Sequence, residues 1–250
     1  MTQGAPDARG VDHRFPGADG GEGTVLIIGW DAAVDPGNTA LSLVKCAGIG
    51  SGSPPTLWVE AHVVPRDDEE LVATVSDWSY GDTPTLLCVD SPLGWPERLA
   101  AVLAEHVAGA GVPSTANGLF RRMTDIDVRR RVGKTPLDVG ADRIARTALA
   151  TLNAIEAVRG RGARSITMAG DIRDPRRHRH QILLLETYPA GWFASEEITV
   201  RGYRPSAARE QRRALLEEIE RRLKTSGVSM SYGVDRDSLV RRADDLDALV

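Results

Sequence analysis

Val25-Leu26-Ile27-Ile28-Gly29-Trp30-Asp31 runs through an apolar stretch and stops on a carboxylate. A short continuous apolar run with polar residues on either side reads as a strand covered on both faces, which is how the strands of a parallel sheet are built. The segment from Pro84 to Asp90 repeats the design, and Ile182 to Glu186 repeats it again. In open α/β sheets, ligands bind beyond the carboxyl ends of the strands. Three such strands lying parallel would therefore deliver Asp31, Asp90 and Glu186 to one edge.

Working outward, Thr39 to Lys45 and Thr56 to Val64 read as two further strands, separated by the Gly/Ser/Pro stretch around Gly48 to Pro55. With no helix between them and the first strand, the three are expected to form an antiparallel meander. Asp67 to Trp78 has an acidic start and helical spacing, and Ser91 to Pro96 turns the chain into a helix from Glu97 to Val107. Gly109 to Thr135 is less regular. A long helix from about Leu137 to Val158 then leads to a strand from Ser165 to Ala169, and Ser206 to Lys224 and Asp235 to Val250 carry helical periodicity. The expectation is an α/β fold with a mixed sheet of five strands or slightly more, flanked by helices, in one domain over residues 24–250. Met1 to Gly23, rich in Gly, Asp and Pro, reads as a flexible tail.

The 250-residue chain carries a formal charge of −4, so its overall field offers no pull toward nucleic acid and such a partner would need a local basic patch. Arg129 to Arg131 and the loop from Arg173 to His180 supply two candidates, either as solvated faces or as phosphate grips; His178 and His180 are read as surface residues. The sequence has no long apolar run and no signal-peptide pattern at its start, which leads us to expect a cytoplasmic protein. Cys46 and Cys88 lack the spacing of a zinc site or disulfide framework and read as small core residues.

Asp244 and Asp247 stand three apart, on one face of the last helix, with Asp245 turned elsewhere. Carboxylates gathered from distant segments repel one another, and such a group makes sense when a divalent cation supplies the missing charge. Mg2+ or Mn2+ is the expected cofactor, since hard cations prefer oxygen ligands and a pair of them can hydrolyse a phosphodiester without a side-chain nucleophile. A lone acid after a strand can equally be a turn former or a helix cap. Glu186 can join the site or pair with Arg121 or Arg122. Trp30, Trp95, Tyr188 and Trp192 adjoin these acids and can stack bases or pack the core and rim.

The segments Gly29-Trp30-Asp31-Ala32-Ala33, Val89-Asp90-Ser91-Pro92-Leu93-Gly94, Phe120-Arg121-Arg122-Met123-Thr124-Asp125, Glu186-Thr187-Tyr188-Pro189 and Asp244-Asp245-Leu246-Asp247-Ala248-Leu249-Val250 resemble, in this order, the motifs of the DUF429 family, often described as predicted nucleases with a ribonuclease H-like fold. The likeness runs from about residue 24 to the end. More remotely, the chain resembles RuvC-type resolvases, in which an acid on the first strand, another after the fourth and two acids a helical turn apart bind metal. By that resemblance Asp31, Asp90, Asp244 and Asp247 are metal ligands, Asp31 the central one, and the partner is DNA or RNA. Arg121 and Arg122, inside one of the motifs, would grip phosphate, or Arg122 would orient a ligating carboxylate. The expected function is a metal-dependent nuclease, with a non-catalytic nucleic-acid or protein-binding module as the alternative. Nucleotide phosphotransfer ranks last, because no glycine-rich phosphate loop follows the first strand.

Overall fold

The computed structural model describes residues 23–49, 52–112, 114–140, 142–162, 164–170, 175–199 and 201–250. The tail expected over 1–23 therefore falls almost wholly outside the described residues, as does Arg173. Among the described residues the strands are β1 (Val25–Asp31), β2 (Ala40–Ala47), β3 (Thr56–Val63), β4 (Thr85–Asp90), β5 (Ser165–Met168), β6 (Gln181–Glu186) and β7 (Ser229–Tyr232). The helices are α1 (Asp68–Trp78), α2 (Glu97–Glu105), α3 (Ala116–Phe120), α4 (Met123–Val132), α5 (Asp142–Arg161), α6 (Pro189–Ser195), α7 (Arg209–Thr225) and α8 (Ala243–Asp247).

The strands form one mixed sheet in the order β5-β6-β4-β1-β2-β3-β7. As expected from the absence of helices between them, β1, β2 and β3 are an antiparallel meander, while β4 lies parallel to β1 and β6 parallel to β4. The sheet exceeds five strands because β5 adds an edge beside β6 and β7 adds the other edge, parallel to β3. Ser229-Met230-Ser231-Tyr232 has no apolar run to betray a strand, and only its Met230 and Tyr232 reach a core cluster.

Alternation along the strands puts one core on the face under α1 and α5 and a smaller one, around Val44, Val59 and Leu239, on the other face. Ile28, Trp30, Leu87, Val89, Ile182 and Leu184 face Leu71, Val72 and Val75 of α1 and Ile155 and Val158 of α5. Each of these large side chains, fully removed from water, stabilises the fold by about 1.5–3 kcal/mol. A further cluster joins Phe193 of α6, Leu215, Leu216 and Ile219 of α7 and Leu246 of α8. Helix starts follow local chemistry: Asp67 accepts a hydrogen bond from the Glu70 amide at 2.8 Å, and acidic residues fill the first turn of α1. The stretch from Gly109 to Thr135, irregular in sequence, contains α3 and α4; α4 buries only Asp125 and so has no apolar stripe to announce it.

The helix expected over 235–250 is broken. Arg242 is extended, and its amide donates to Asp245 Oδ2 at 2.8 Å, so the chain ends one short turn at Ser238–Val240 and starts α8 afresh. No helix among the described residues is long and apolar enough to cross a membrane. Cys46 and Cys88 are both free thiols; Cys46 is buried as expected and Cys88 only partly so, and desolvation pushes the Cys88 thiol up to about 11.

Candidate functional site

The final residues of β1 and β4 are register partners, Asp31 beside Asp90. Their neighbours Trp30 and Val89 point into the core under α1 and α5, so alternation sends both acids to the other face of the sheet. There they meet the end of α8. Gly29, two residues before Asp31, makes that approach possible: a Cβ at this position would lie 2.0 Å from the Ala248 carbonyl oxygen. Ala248 follows Asp247, so the missing side chain at Gly29 brings the helical acid to the strand acids.

Gly29→Ala is accordingly expected to lower stability by about 1–3 kcal/mol, because a backbone-to-methyl overlap cannot be relieved by a rotamer change. Thermal unfolding checks the stability loss. A melting curve unchanged from wild type would mean that α8 does not depend on this contact.

Asp247 is almost fully buried. Tyr203 Oη lies 3.0 and 3.2 Å from its two oxygens, and Arg204 Nη2 donates to Oδ2 at 3.3 Å. Asp244 is half-buried, with Arg242 Nη1 3.8 Å away. The four acids influence one another. Burial, then the charges of Asp247, Asp90 and Asp244, push Asp31 up to about 9. Asp90 rises to about 7 through burial and Asp247, and Asp247 to about 6, chiefly through burial. Asp244 is raised by burial. Acids brought together from three separate segments thus resist ionising at the same time.

Asp245 has another occupation. It is buried, it accepts from the Arg242 amide and guanidinium, and His62 Nε2 lies 3.3 Å from its Oδ1, with His62 Nδ1 3.1 Å from Ser42 Oγ. Burial alone would raise its pKa, but the His62 and Arg242 contacts outweigh that and hold it below the usual carboxylate value. It serves as the cap and anchor of α8.

Glu186 lines the cavity with Asp31 and Asp90, and its charge helps to raise Asp90, but its own partners are different. It pairs with Val89 across β4 and β6, which assigns it by alternation to the face opposite Asp90. Arg122 Nη1 and Nη2 donate to its two oxygens at 2.7 and 2.5 Å, and the Leu93 amide donates at 3.0 Å. Arg122 also donates to Asp125 at 2.7 Å; burial works against the charge, and these two carboxylates more than restore it. Arg121 Nε donates to Asp138 at 3.0 Å. Both arginines are thus engaged by protein carboxylates, and Glu186 fastens the turn after β4 to the start of α4.

A cavity of about 610 Å3 opens over Asp31 and Asp90, walled by Arg122, Tyr188, Arg204 and Met168. A second hollow of about 600 Å3 shares Arg122, Met168 and Glu186 with it and presents Trp95 and Met123. Met123 is 79% and Trp95 40% exposed, so this rim offers apolar surface to a ligand. Trp30 is instead core, and Trp192 packs at the edge of the core around Phe193. Arg130 and Arg131 pair with Asp127 on an exposed face of α4, and His180 is exposed beside Asp82.

Three residues of the site were not anticipated. Tyr203 and Arg204 lie in an irregular segment whose sequence gives no sign that it folds over the acids. Arg212 could have been noticed: it sits three, four and seven residues before Leu215, Leu216 and Ile219, on the apolar face of α7, where an arginine must satisfy its charge internally.

In kind, the donor set fits a hard divalent cation, being made of oxygen atoms whose mutual repulsion a cation would relieve. In position, Asp247 is turned toward Tyr203 and Arg204, and among the described residues no group of three or more His, Cys, Asp or Glu side chains is arranged to hold a metal ion. A family model described as a protein of unknown function (DUF429) matches residues 10–250. No curated protein and no solved structure matches the chain.

Proposed function

We propose, from the premise that this chain belongs to the DUF429 family, that it is a metal-dependent nuclease built on a ribonuclease H-like fold. The observation that carries this reading is the convergence of Asp31, Asp90 and Asp247, with Asp244 beside them, on one face of the sheet at the carboxyl ends of β1 and β4. The meander followed by a parallel fourth strand, with acids ending the first and fourth strands and two acids three apart on the last helix, agrees with the resolvase-like pattern.

Asp31, Asp90 and Asp247 would hold Mg2+ or Mn2+, with Asp244 assisting. A cation bound there supplies Lewis-acid polarisation of the phosphodiester and a water of lowered pKa. Asp31, flanked by both other acids, is the residue on which the group depends. The Arg122–Glu186–Asp125 network holds the wall between the two hollows in place, and Trp95 and Met123 give bases or sugars an apolar seat beside the acids.

The second reading, a non-catalytic nucleic-acid or protein-binding module, draws on the same exposed rim and on the engagement of Arg121 and Arg122 by protein carboxylates. Incubation with labelled single-stranded, duplex and branched DNA and RNA decides between them. Cleavage in Mg2+ or Mn2+ that stops in EDTA is the expected result. Retention of a labelled strand without any cleavage would favour the binding module.

A further inference from the structure

Two arginines near the acids are firmly held. Arg212 is wholly buried on backbone carbonyls, and Arg122 is locked on two carboxylates. Arg204 differs. Its side chain is 65% exposed, it reaches Asp247 Oδ2 by a long hydrogen bond of 3.3 Å, and its guanidinium carbon lies 5.4 Å from the centre of the Tyr203 ring. It lines the same cavity as Asp31 and Asp90. Its charge acts on all four acids, favouring the ionised form of Asp31, Asp90, Asp244 and Asp247.

Asp247 has a second partner in Tyr203, whose hydroxyl lies 3.0 and 3.2 Å from its two oxygens. Arg204 is not immobilised by its surroundings, since most of its surface is in solvent and the ring beneath it is a face across which it can slide. A weakly held guanidinium at the mouth of an acid cluster has two partners of higher affinity to choose between once the acids are occupied: water, and a phosphate oxygen, whose geometry a guanidinium matches with two parallel hydrogen bonds.

We propose that Arg204 is an exchangeable counter-ion: it neutralises the acid cluster in the cation-free protein, leaves Asp247 when a divalent cation takes the carboxylates, and turns to a phosphate of the bound strand. This rests on the metal-nuclease reading above. It makes Arg204 a competitor of the cation and a partner of the substrate, so its removal moves the two affinities in opposite directions. A purely structural arginine would weaken both.

The test is calorimetric titration of Mg2+ into the full chain as wild type, Arg204→Gln and Arg204→Lys, at mildly alkaline pH, together with fluorescence binding of a labelled oligonucleotide in Ca2+. Arg204→Gln is expected to bind Mg2+ on the order of tenfold more tightly, since one positive charge a few ångströms from the cation is gone. It is expected to bind the oligonucleotide on the order of tenfold more weakly through loss of a charge-assisted phosphate contact. Arg204→Lys, which keeps the charge, should return both constants toward wild type. Equal and measurable Mg2+ affinity in all three chains overturns the exchange while leaving the metal centre standing, and an unchanged oligonucleotide affinity overturns it as well. Absence of Mg2+ binding in every chain overturns the metal centre itself, and the exchange with it.

Discussion

Asp31→Asn is expected to stabilise the cation-free protein at about pH 8 by roughly 2–4 kcal/mol, while reducing metal-dependent cleavage by more than about a hundredfold. The stability half follows from linkage. In the folded chain Asp31 keeps its proton up to about 9, because burial and the neighbouring acids disfavour its charge; unfolded, it would ionise near 3.8. Between those limits the folded state binds more protons than the unfolded one, so stability falls as pH rises. The contribution is fully present below about pH 4 and is lost by about pH 9. Asp90 and Asp247, raised to about 7 and about 6, add to the same slope over narrower windows.

Asparagine at position 31 has no proton to lose. The difference between variant and wild type should therefore be small near pH 4 and grow to a plateau above about pH 9, which urea unfolding in EDTA across that range would follow. A variant less stable than wild type at alkaline pH would mean that Asp31 is a structural acid with a partner rather than a strained one. The activity half has a simple scale: removing an outer partner of a metal ligand already costs about 10–100-fold, so losing the ligand itself should exceed that.

Arg212→Met is expected to lower stability by about 3–5 kcal/mol, the range for removing one member of a buried, charge-assisted network. The guanidinium is fully buried and donates to the carbonyls of Val240, Tyr203, Pro205, Ser206 and Arg241 at 2.7–3.1 Å. These five oxygens belong to two segments: the irregular one that carries Tyr203 and Arg204, and the end of the short turn Ser238–Val240 that leads into α8. Methionine fills much of the volume and leaves the carbonyls without donors. Arg212→Lys should recover only part of the loss, since an ammonium has three donors on a point charge where the guanidinium spreads five in a plane. Equilibrium unfolding in urea gives the number. A loss below about 1 kcal/mol would show that water replaces the guanidinium, and that the two segments are held by something else.

Much of the site was legible because its signals are local. Asp31 and Asp90 each end an apolar run, and Asp244 and Asp247 share a helix face by spacing alone; the structure keeps that spacing even though the helix is shorter than its periodicity promised. Glu186 carries the same local signature and reaches the same cavity, but from the other face of the strand ends, where Arg122 holds it. Its strand is in register with β4 so that it opposes Val89, and register between strands is a non-local quantity that a single strand does not encode. The break at Arg242 depends on Asp245, whose contacts reach His62 on β3. Tyr203 and Arg204 come to the acids through distant contacts, the carbonyl cage around Arg212 and the packing of Tyr203 on Phe193. The same division holds for the fold: central strands announce themselves by apolar runs, while β7, α3 and α4, short and half-solvated, take their shape from what they pack against.

Whether acids from β1, β4 and α8 form a centre for a divalent cation is read by calorimetric titration of Mn2+ into wild type and Asp31→Asn. Saturable binding to wild type that Asp31→Asn weakens by more than about tenfold is the expected result. Mn2+ binding of equal strength in both chains, or none in a folded wild type, would contradict it.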